Sequence, residues 1–365
     1  MSIYNENPVN TSFEPMFFGE PLSVQRYDNF KYPIFDELTD KQMSFFWRPQ
    51  EVSLSKDISD YQKLTDDERF IFLENLKYQT LLDSIQGRGP SRVLGKICSL
   101  PELEACIETW TFFETIHSRS YTYIMKNLVP NPSIIFDDIL VNEHIKKRAV
   151  AITKYYDDFE ALLDKHFSGQ EVSKYDLYKG LYLLLVVINA LEGLRFFVSF
   201  VCSFTFAKNK KMEGSAKIIS LIAGDEFCHL AITQTIINNY RKSEKDDLML
   251  QVIKDCNDEV TEIYKQVVDQ EKEWADHLFN GRGMLGLSAE YLHNYIEYLA
   301  NKRMKAIGLT PVFKDHKVDP FQHLDSFFNA RNLQVAPQET EISSYLTSGV
   351  TQDVDDETFK DFSLD

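Results

Sequence analysis

Two Glu-x-x-His tetrads, Glu114-Thr-Ile-His117 and Glu226-Phe-Cys-His229, stand in the middle of long apolar helical patterns, and a carboxylate precedes each by a similar distance, Asp83 by 31 residues and Glu192 by 34. On a helix, positions i and i+3 share a face, so each Glu and its His can aim at one ion. A gap of that size is half a helix, a turn and half a helix back. Asp83 and Glu192 would then lie level with the tetrad on an antiparallel neighbour, and the spacing predicts two helix pairs of one design. Four carboxylates buried together would repel and protonate, whereas two divalent cations bring +4 against their −4. Oxygen-rich donors with one imidazole per ion suit iron or manganese better than zinc or copper.

A single tetrad would say little. Roughly one acid-x-x-His pair is expected by chance in a chain with this many acids and histidines. A third copy, Glu290-Tyr-Leu-His293, follows Ser288 at a helix start, where a Glu stabilises the first turn, and it is read as capping. The other six residues share matched spacing inside apolar helices, and that consistency points to a di-metal site. Tyr121 lies four residues after His117 and seven after Glu114, so it continues along the same helix face. A phenol beside such a site could store one electron hole.

The rest of the chain reads as helical, with strand alternation scarce. Residues 1–60 are proline-punctuated (Pro8, Pro15, Pro21, Pro33, Pro49) and predict an extended arm with short helical pieces; 61–330 predicts a helical bundle; 331–365 predicts a flexible tail. Thr65-Asp-Asp-Glu68 is a capping-box start for a helix that stops at Gly87-Arg88-Gly89-Pro90. Further helices are expected from about Ser99 or Pro101 to Pro130, and over 137–165, 175–208, Gly214 to Arg241, 245–279 and 288–306. The fourth is apolar and long enough to span a membrane, yet Asn189, Glu192 and Arg195 sit at its middle, where lipid would penalise them. A helix buried on all sides of a bundle explains the same pattern.

Charge and cysteine use narrow the function class. A net charge of −17 argues against a direct nucleic-acid role, since neutralising phosphates needs basic surface. Five cysteines, with no C-x-x-C pair, argue against a disulfide framework or zinc knuckle, and the N-terminus carries no signal-peptide pattern, so a cytoplasmic setting is expected. From Pro337 to Asp365 there are eight acidic residues and one basic residue, Lys360, yet Phe359, Phe362 and Leu364 fall near the end. That combination predicts a docking peptide on the tail.

A di-metal bundle of this kind is shared by ferritins, oxygen-activating hydroxylases and desaturases, and the fold alone does not choose among them. The longer motifs do. Glu114-Thr-Ile-His-Ser-Arg-Ser-Tyr121, Asn189-Ala-Leu-Glu-Gly-Leu-Arg-Phe-Phe-Val-Ser-Phe200 and Asp225-Glu-Phe-Cys-His229 closely resemble the small subunit of class Ia ribonucleotide reductase. So do Glu14-Pro-Met-Phe-Phe-Gly19, Ser44-Phe-Phe-Trp-Arg-Pro49, Lys77-Tyr-Gln-Thr-Leu-Leu-Asp-Ser-Ile-Gln-Gly87 and Val335-Ala-Pro-Gln-Glu339, covering nearly the whole chain.

The resemblance implies an all-α, ferritin-like di-iron four-helix bundle with additional helices and a flexible C-terminal tail. Asp83, Glu114 and His117 would hold one iron and Glu192, Glu226 and His229 the other, with Glu114 and Glu226 bridging; manganese at one site is compatible with the same donors. Tyr121 would carry a stable radical, shielded by Phe196, Phe200 and Ile222. Trp47 and Asp225, the latter bonded to His117, would begin an electron-transfer route that Tyr345 on the tail hands to a large subunit. The family also implies a homodimer. Gly224, where relatives commonly carry Arg, and Phe113, where close relatives carry a small polar residue, depart from the pattern.

Overall fold

The computed structural model describes residues 5–328. In chain order the helices are α1 (Pro33–Ser44), α2 (Ser55–Lys63), α3 (Asp66–Gln86), α4 (Gly89–Val93), α5 (Pro101–Leu128), α6 (Pro132–Ile139) and α7 (Glu143–Phe167). They continue as α8 (Lys174–Ala190), α9 (Phe197–Lys208), α10 (Glu213–Lys242), α11 (Asp247–Asp255), α12 (Asn257–Phe279), α13 (Ala289–Ala306) and the short α14 (Asp325–Phe328). Among the described residues there is no strand beyond two isolated bridges, so the architecture is all-α.

Local chemistry explains the helix ends. Thr65 caps α3 reciprocally: its hydroxyl accepts from the Glu68 N–H at 3.2 Å, and the Glu68 carboxylate accepts from the Thr65 N–H at 3.1 Å. Proline stands in the first turn of α5, where its missing N–H costs nothing. The buried Asp57 carboxylate accepts from the Gly214 and Ser215 N–H groups at 2.9 and 2.6 Å, anchoring α2 at the positive end of α10. Ser288 caps α13 by accepting from the Tyr291 N–H, so Glu290 lies in a first turn, as the sequence suggests for the third tetrad.

Three expected helices are divided. The 137–165 helix is two, because Asn142 caps α7 by accepting from the His144 and Ile145 N–H groups. The 245–279 helix breaks at Cys256, whose φ of −88° and ψ of 3° leave the helical region. The 175–208 helix is interrupted by a π-turn, Leu191–Arg195, that carries Glu192. An inserted residue of this kind re-aims a side chain and is common at functional sites. Two arginines hold the turn: Arg195 donates to Gln270 at 2.8 Å, and Arg303 donates to the Gly193 carbonyl at 3.2 Å.

Within Lys174–Lys208 the most apolar 18-residue window has a mean hydropathy of 1.9 and is entirely buried within the protein. α7, α10, α11 and α12 cover α8, while α3, α10 and α13 cover α9. Four elements form the central bundle: α3, α5, α8 with its π-turn and α9, and α10. The proline-punctuated N-terminal segment contributes to the core too, burying Met16, Phe17, Phe35, Leu38 and Trp47. Glu102, at the start of α5, accepts the Lys31 and Tyr32 N–H groups and fixes the entry to α1.

Glu74 ties α3 to its outer neighbours. It pairs with Lys77 at 2.6 Å, accepts from Asn142 at 2.9 Å and lies 3.1 Å from His277 Nε2. Burial would raise its pKa, but the hydrogen bonds from His277 and Lys77 win and lower it from 4.5 to about 2. A depressed folded-state pKa stabilises the fold above the unfolded pKa, and the contribution is lost as pH falls from about 4.5 through about 2. Its full size is on the order of 3 kcal/mol. In urea titrations, Glu74→Gln is therefore expected to destabilise the protein near neutral pH by a margin that shrinks steadily below pH 4.5. An equal loss at neutral pH and pH 2 would contradict this account.

Candidate metal centre

The four central helices bring all six metal-site candidates together. Asp83 comes from the last turn of α3, Glu114 and His117 from the middle of α5, Glu192 from the π-turn, and Glu226 and His229 from the middle of α10. Every one of these side chains is fully buried. Their donor atoms form two groups, each compact enough to surround one ion: Asp83, Glu114, His117 and Glu226, and Glu114, Glu192, Glu226 and His229. Glu114 and Glu226 belong to both groups, so each can offer one oxygen to either side.

The distances are those of a shared cluster. His117 Nδ1 lies 3.4 Å from Glu114, 3.3 Å from Glu226 and 3.8 Å from Asp83. His229 Nδ1 lies 3.0 Å from both Glu114 and Glu226. The two imidazole rings are 5.7 Å apart. Both oxygens of Asp83, one oxygen each of Glu114, Glu192 and Glu226, and His117 Nδ1 are buried without a hydrogen-bond partner. Unpaired polar atoms are costly in a dry interior, and ions of charge +2 would satisfy these. The residues fit a pair of divalent cations.

The charge balance shows the same demand. Burial, then the nearby Glu114 and Glu226, pushes Asp83 well above the usual carboxylate range, and burial with Glu226 and Glu114 does the same to Glu192. Glu226 is held low against burial by the neighbouring imidazoles of His117 and His229. Burial lowers the pKa of His229, but its bonds to Glu114 and Glu226 win and raise it to about 9. Protons here perform the neutralisation that bound cations would perform.

Further side chains orient the cluster. His117 Nε2 lies 3.1 Å from Asp225 Oδ2, which also accepts from Trp47 Nε1 at 2.9 Å. A carboxylate accepting from both places the His117 proton on Nε2 and leaves Nδ1 facing the cluster. The Trp47 and His117 rings are stacked 6.3 Å apart. Trp110 Nε1 donates to Glu114 at 3.0 Å, and Gln86 Nε2 donates to Glu192 at 2.5 Å. The sequence reading gave Gln86 and Trp110 no part in the site. Their signal was present as Asp83-x-x-Gln86 and as Trp110 four residues before Glu114, the spacings that keep a side chain on the ligand's face.

Tyr121 is fully buried, and its hydroxyl has no hydrogen-bond partner. Burial raises its pKa well above 10, and Asp83 is the charge that acts on it most strongly. Phe196, Phe200 and Ile222 are buried, with the two phenyl rings stacked at 5.9 Å. A cavity of about 780 Å³ reaches Asp83 and Glu114 between α3 and α5, lined also by Arg88, Arg119 and Lys126. Phe113 is buried, consistent with a packing residue. Tyr345 and the 331–365 tail lie outside the described residues.

The chain matches the family model described as ribonucleotide reductase, small chain, over residues 25–320. It is 50% identical to the ribonucleoside-diphosphate reductase subunit beta of Buchnera aphidicola subsp. Baizongia pistaciae, across 99% of each chain. It is 48% identical to the ribonucleoside-diphosphate reductase 1 subunit beta of Escherichia coli O157:H7, across 96% of each. The solved ribonucleotide reductase R2 subunit from Clostridium botulinum superposes with a TM-score of 0.78 at 26% identity, covering 90% of this chain and 98% of that one.

Because Glu226 serves both donor groups, Glu226→Gln should impair both. Calorimetric titration of metal-free protein with ferrous or manganous ions is expected to give two ions per chain, and markedly weaker uptake in the variant. Saturation at about a hundredfold excess over Kd should raise the unfolding free energy by about 2.7 kcal/mol for each ion bound. Undiminished uptake by Glu226→Gln would exclude a shared ligand.

Proposed function

Since the chain belongs to the ribonucleotide reductase small-chain family and is the small subunit of a ribonucleoside-diphosphate reductase, with a large-subunit partner, we propose that its buried cluster is a di-iron centre that oxidises Tyr121 to a stable radical. That radical is then passed to the large subunit for reduction of ribonucleotides. The observation that carries this reading is Tyr121 itself: a fully buried phenol with no hydrogen-bond partner, on the helix face of Glu114 and His117.

Asp83, Glu114 and His117 would hold one iron and Glu192, Glu226 and His229 the other, with Glu114 and Glu226 available to both. Iron bound there supplies oxygen activation and a one-electron oxidant. The side chains do the rest. Asp83, both of whose buried oxygens lack a hydrogen-bond partner, is the carboxylate to which the phenol's proton can go when its electron leaves. Phe196, Phe200 and Ile222 keep the interior around it dry, which protects a radical from quenching by water or reductant. Trp47, Asp225 and His117 form a continuous hydrogen-bonded chain leading away from the cluster, suited to moving an electron and a proton together. Tyr345 on the tail takes over at the large subunit.

The acidic tail with its terminal Phe359, Phe362 and Leu364 supports docking to that partner. A homodimer follows from the family resemblance. The five cysteines are all buried and none is in a disulfide, which favours a reducing, cytoplasmic setting.

Paramagnetic resonance after addition of ferrous iron and oxygen tests the central claim. A tyrosyl signal is expected, and Tyr121→Phe should abolish it. Iron uptake without any radical would refute the reading and favour storage or monooxygenase chemistry. Deletion of 346–365 is expected to leave the radical intact while abolishing reduction in the presence of the large subunit. Full turnover by the truncated chain would show that the tail does not dock.

A further inference from the structure

The cluster is flanked by a second buried phenol. Tyr156, on α7, is 5% exposed, and its hydroxyl donates to Gln86 Oε1 at 2.9 Å. Gln86 in turn donates from Nε2 to Glu192 Oε1 at 2.5 Å. Tyr156 therefore stands one amide away from a metal-ligand carboxylate. Its place is fixed by close packing: a Cβ at Gly89 would fall 2.4 Å from the Tyr156 ring, so only glycine leaves room for it.

The chemistry of the chain orders its protons. The amide nitrogen of Gln86 faces Glu192 and the amide oxygen faces Tyr156, the orientation that a metal-ligated carboxylate, which only accepts, requires. The Tyr156 hydroxyl has to donate, and its acceptor is an amide oxygen. A phenol that loses an electron also needs to lose its proton, and an amide oxygen is too weak a base to keep it. Passing the proton onward would protonate Oε1 and strip Nε2, leaving Gln86 as the imidic acid. Tyr121 differs at this point: no amide oxygen is the acceptor of its hydroxyl, and both oxygens of the buried Asp83 are without a hydrogen-bond partner.

We propose that Gln86 is a specificity-determining residue that keeps Tyr156 silent to oxidation by denying its proton an acceptor, so that the oxidising equivalent is directed to Tyr121. The same amide positions Glu192 by holding one of its oxygens and leaving the other, which has no hydrogen-bond partner, for the metal. This inference rests on the radical-generating function proposed above. In the step that Gln86 prevents, Tyr156 would give one electron to the di-iron centre oxidised by dioxygen, and its O–H proton to a neighbouring base. Replacing the amide by a base completes that balance: the electron goes to the centre and the proton to the introduced carboxylate or imidazole.

The test is freeze-quench paramagnetic resonance after mixing iron-loaded protein with oxygen, with ring-deuterated tyrosine to identify tyrosyl signals and iron analysis of every sample. The parent protein is expected to give a tyrosyl signal that Tyr121→Phe removes; no radical in the parent overturns the proposed function and this inference with it. Tyr121→Phe, which retains Gln86, should show no tyrosyl signal at any time. A tyrosyl signal there that disappears on adding Tyr156→Phe overturns the inference while leaving the function standing. Tyr121→Phe/Gln86→Glu and Tyr121→Phe/Gln86→His supply an acidic and a neutral acceptor, and a tyrosyl signal at least about tenfold above Tyr121→Phe is expected in whichever loads iron, since a placed proton acceptor is worth that much or more. Iron-loaded forms of these variants without such a signal overturn the inference. If neither loads iron, the result in Tyr121→Phe decides alone.

Discussion

A buried cluster of four carboxylates and two imidazoles is the constraint on which the rest of this protein depends. Such a group is unfavourable in a low-dielectric interior unless each charge is both neutralised and held in place. The four central helices supply the ligands from their middles and ends, and a separate set of side chains fixes each ligand's orientation. Asp225 holds His117, Trp110 holds Glu114, and Gln86 holds Glu192. The π-turn belongs to the same solution, since it brings Glu192 out of a helix whose other faces are packed on all sides.

The parts legible in the sequence were those governed by positions within one helix. Glu114, His117 and Tyr121 share a face by spacing alone, as do Glu226 and His229, and Thr65-Asp-Asp-Glu68 forms its capping box. Asp83 and Glu192 were legible because two antiparallel helices of equal reach put them level with the tetrads. Apart from Trp110, which bonds Glu114 within α5, the site residues that escaped notice depend on contacts across helices. Gln86 reaches Glu192 from α3, and Tyr156 reaches Gln86 from α7. The π-turn was hidden because a helix apolar on every side has no polar face whose shift would reveal an extra residue. The Asn142 cap had a readable signal, an Asn followed by Glu143, inside a stretch whose helical periodicity masked it.

The site is also braced from its outer side. Arg195, at the end of the π-turn, reaches Gln270 and the buried Glu271 of α12, and Glu271 also accepts from Tyr78 of α3. Burial raises the Glu271 pKa although Arg148 and Arg195 oppose the shift. α3 and the π-turn carry Asp83 and Glu192, and through Glu271 and Tyr78 they are joined to one outer helix. A displacement of α12 therefore bears on both ends of the cluster at once.

The buried run from Lys174 to Lys208 has a consequence for how the chain is made. It leaves the ribosome before α10, α12 and α13, the helices that later enclose much of it, have been synthesised. During that interval it has the length and hydropathy of a segment that a membrane-insertion machinery would accept. Arg195 near its centre opposes such insertion by about 3 kcal/mol on translocon scales, and the carboxylate of Glu192 adds to that penalty. The side chain that becomes a metal ligand in the finished protein thus also helps sort the nascent chain away from the bilayer.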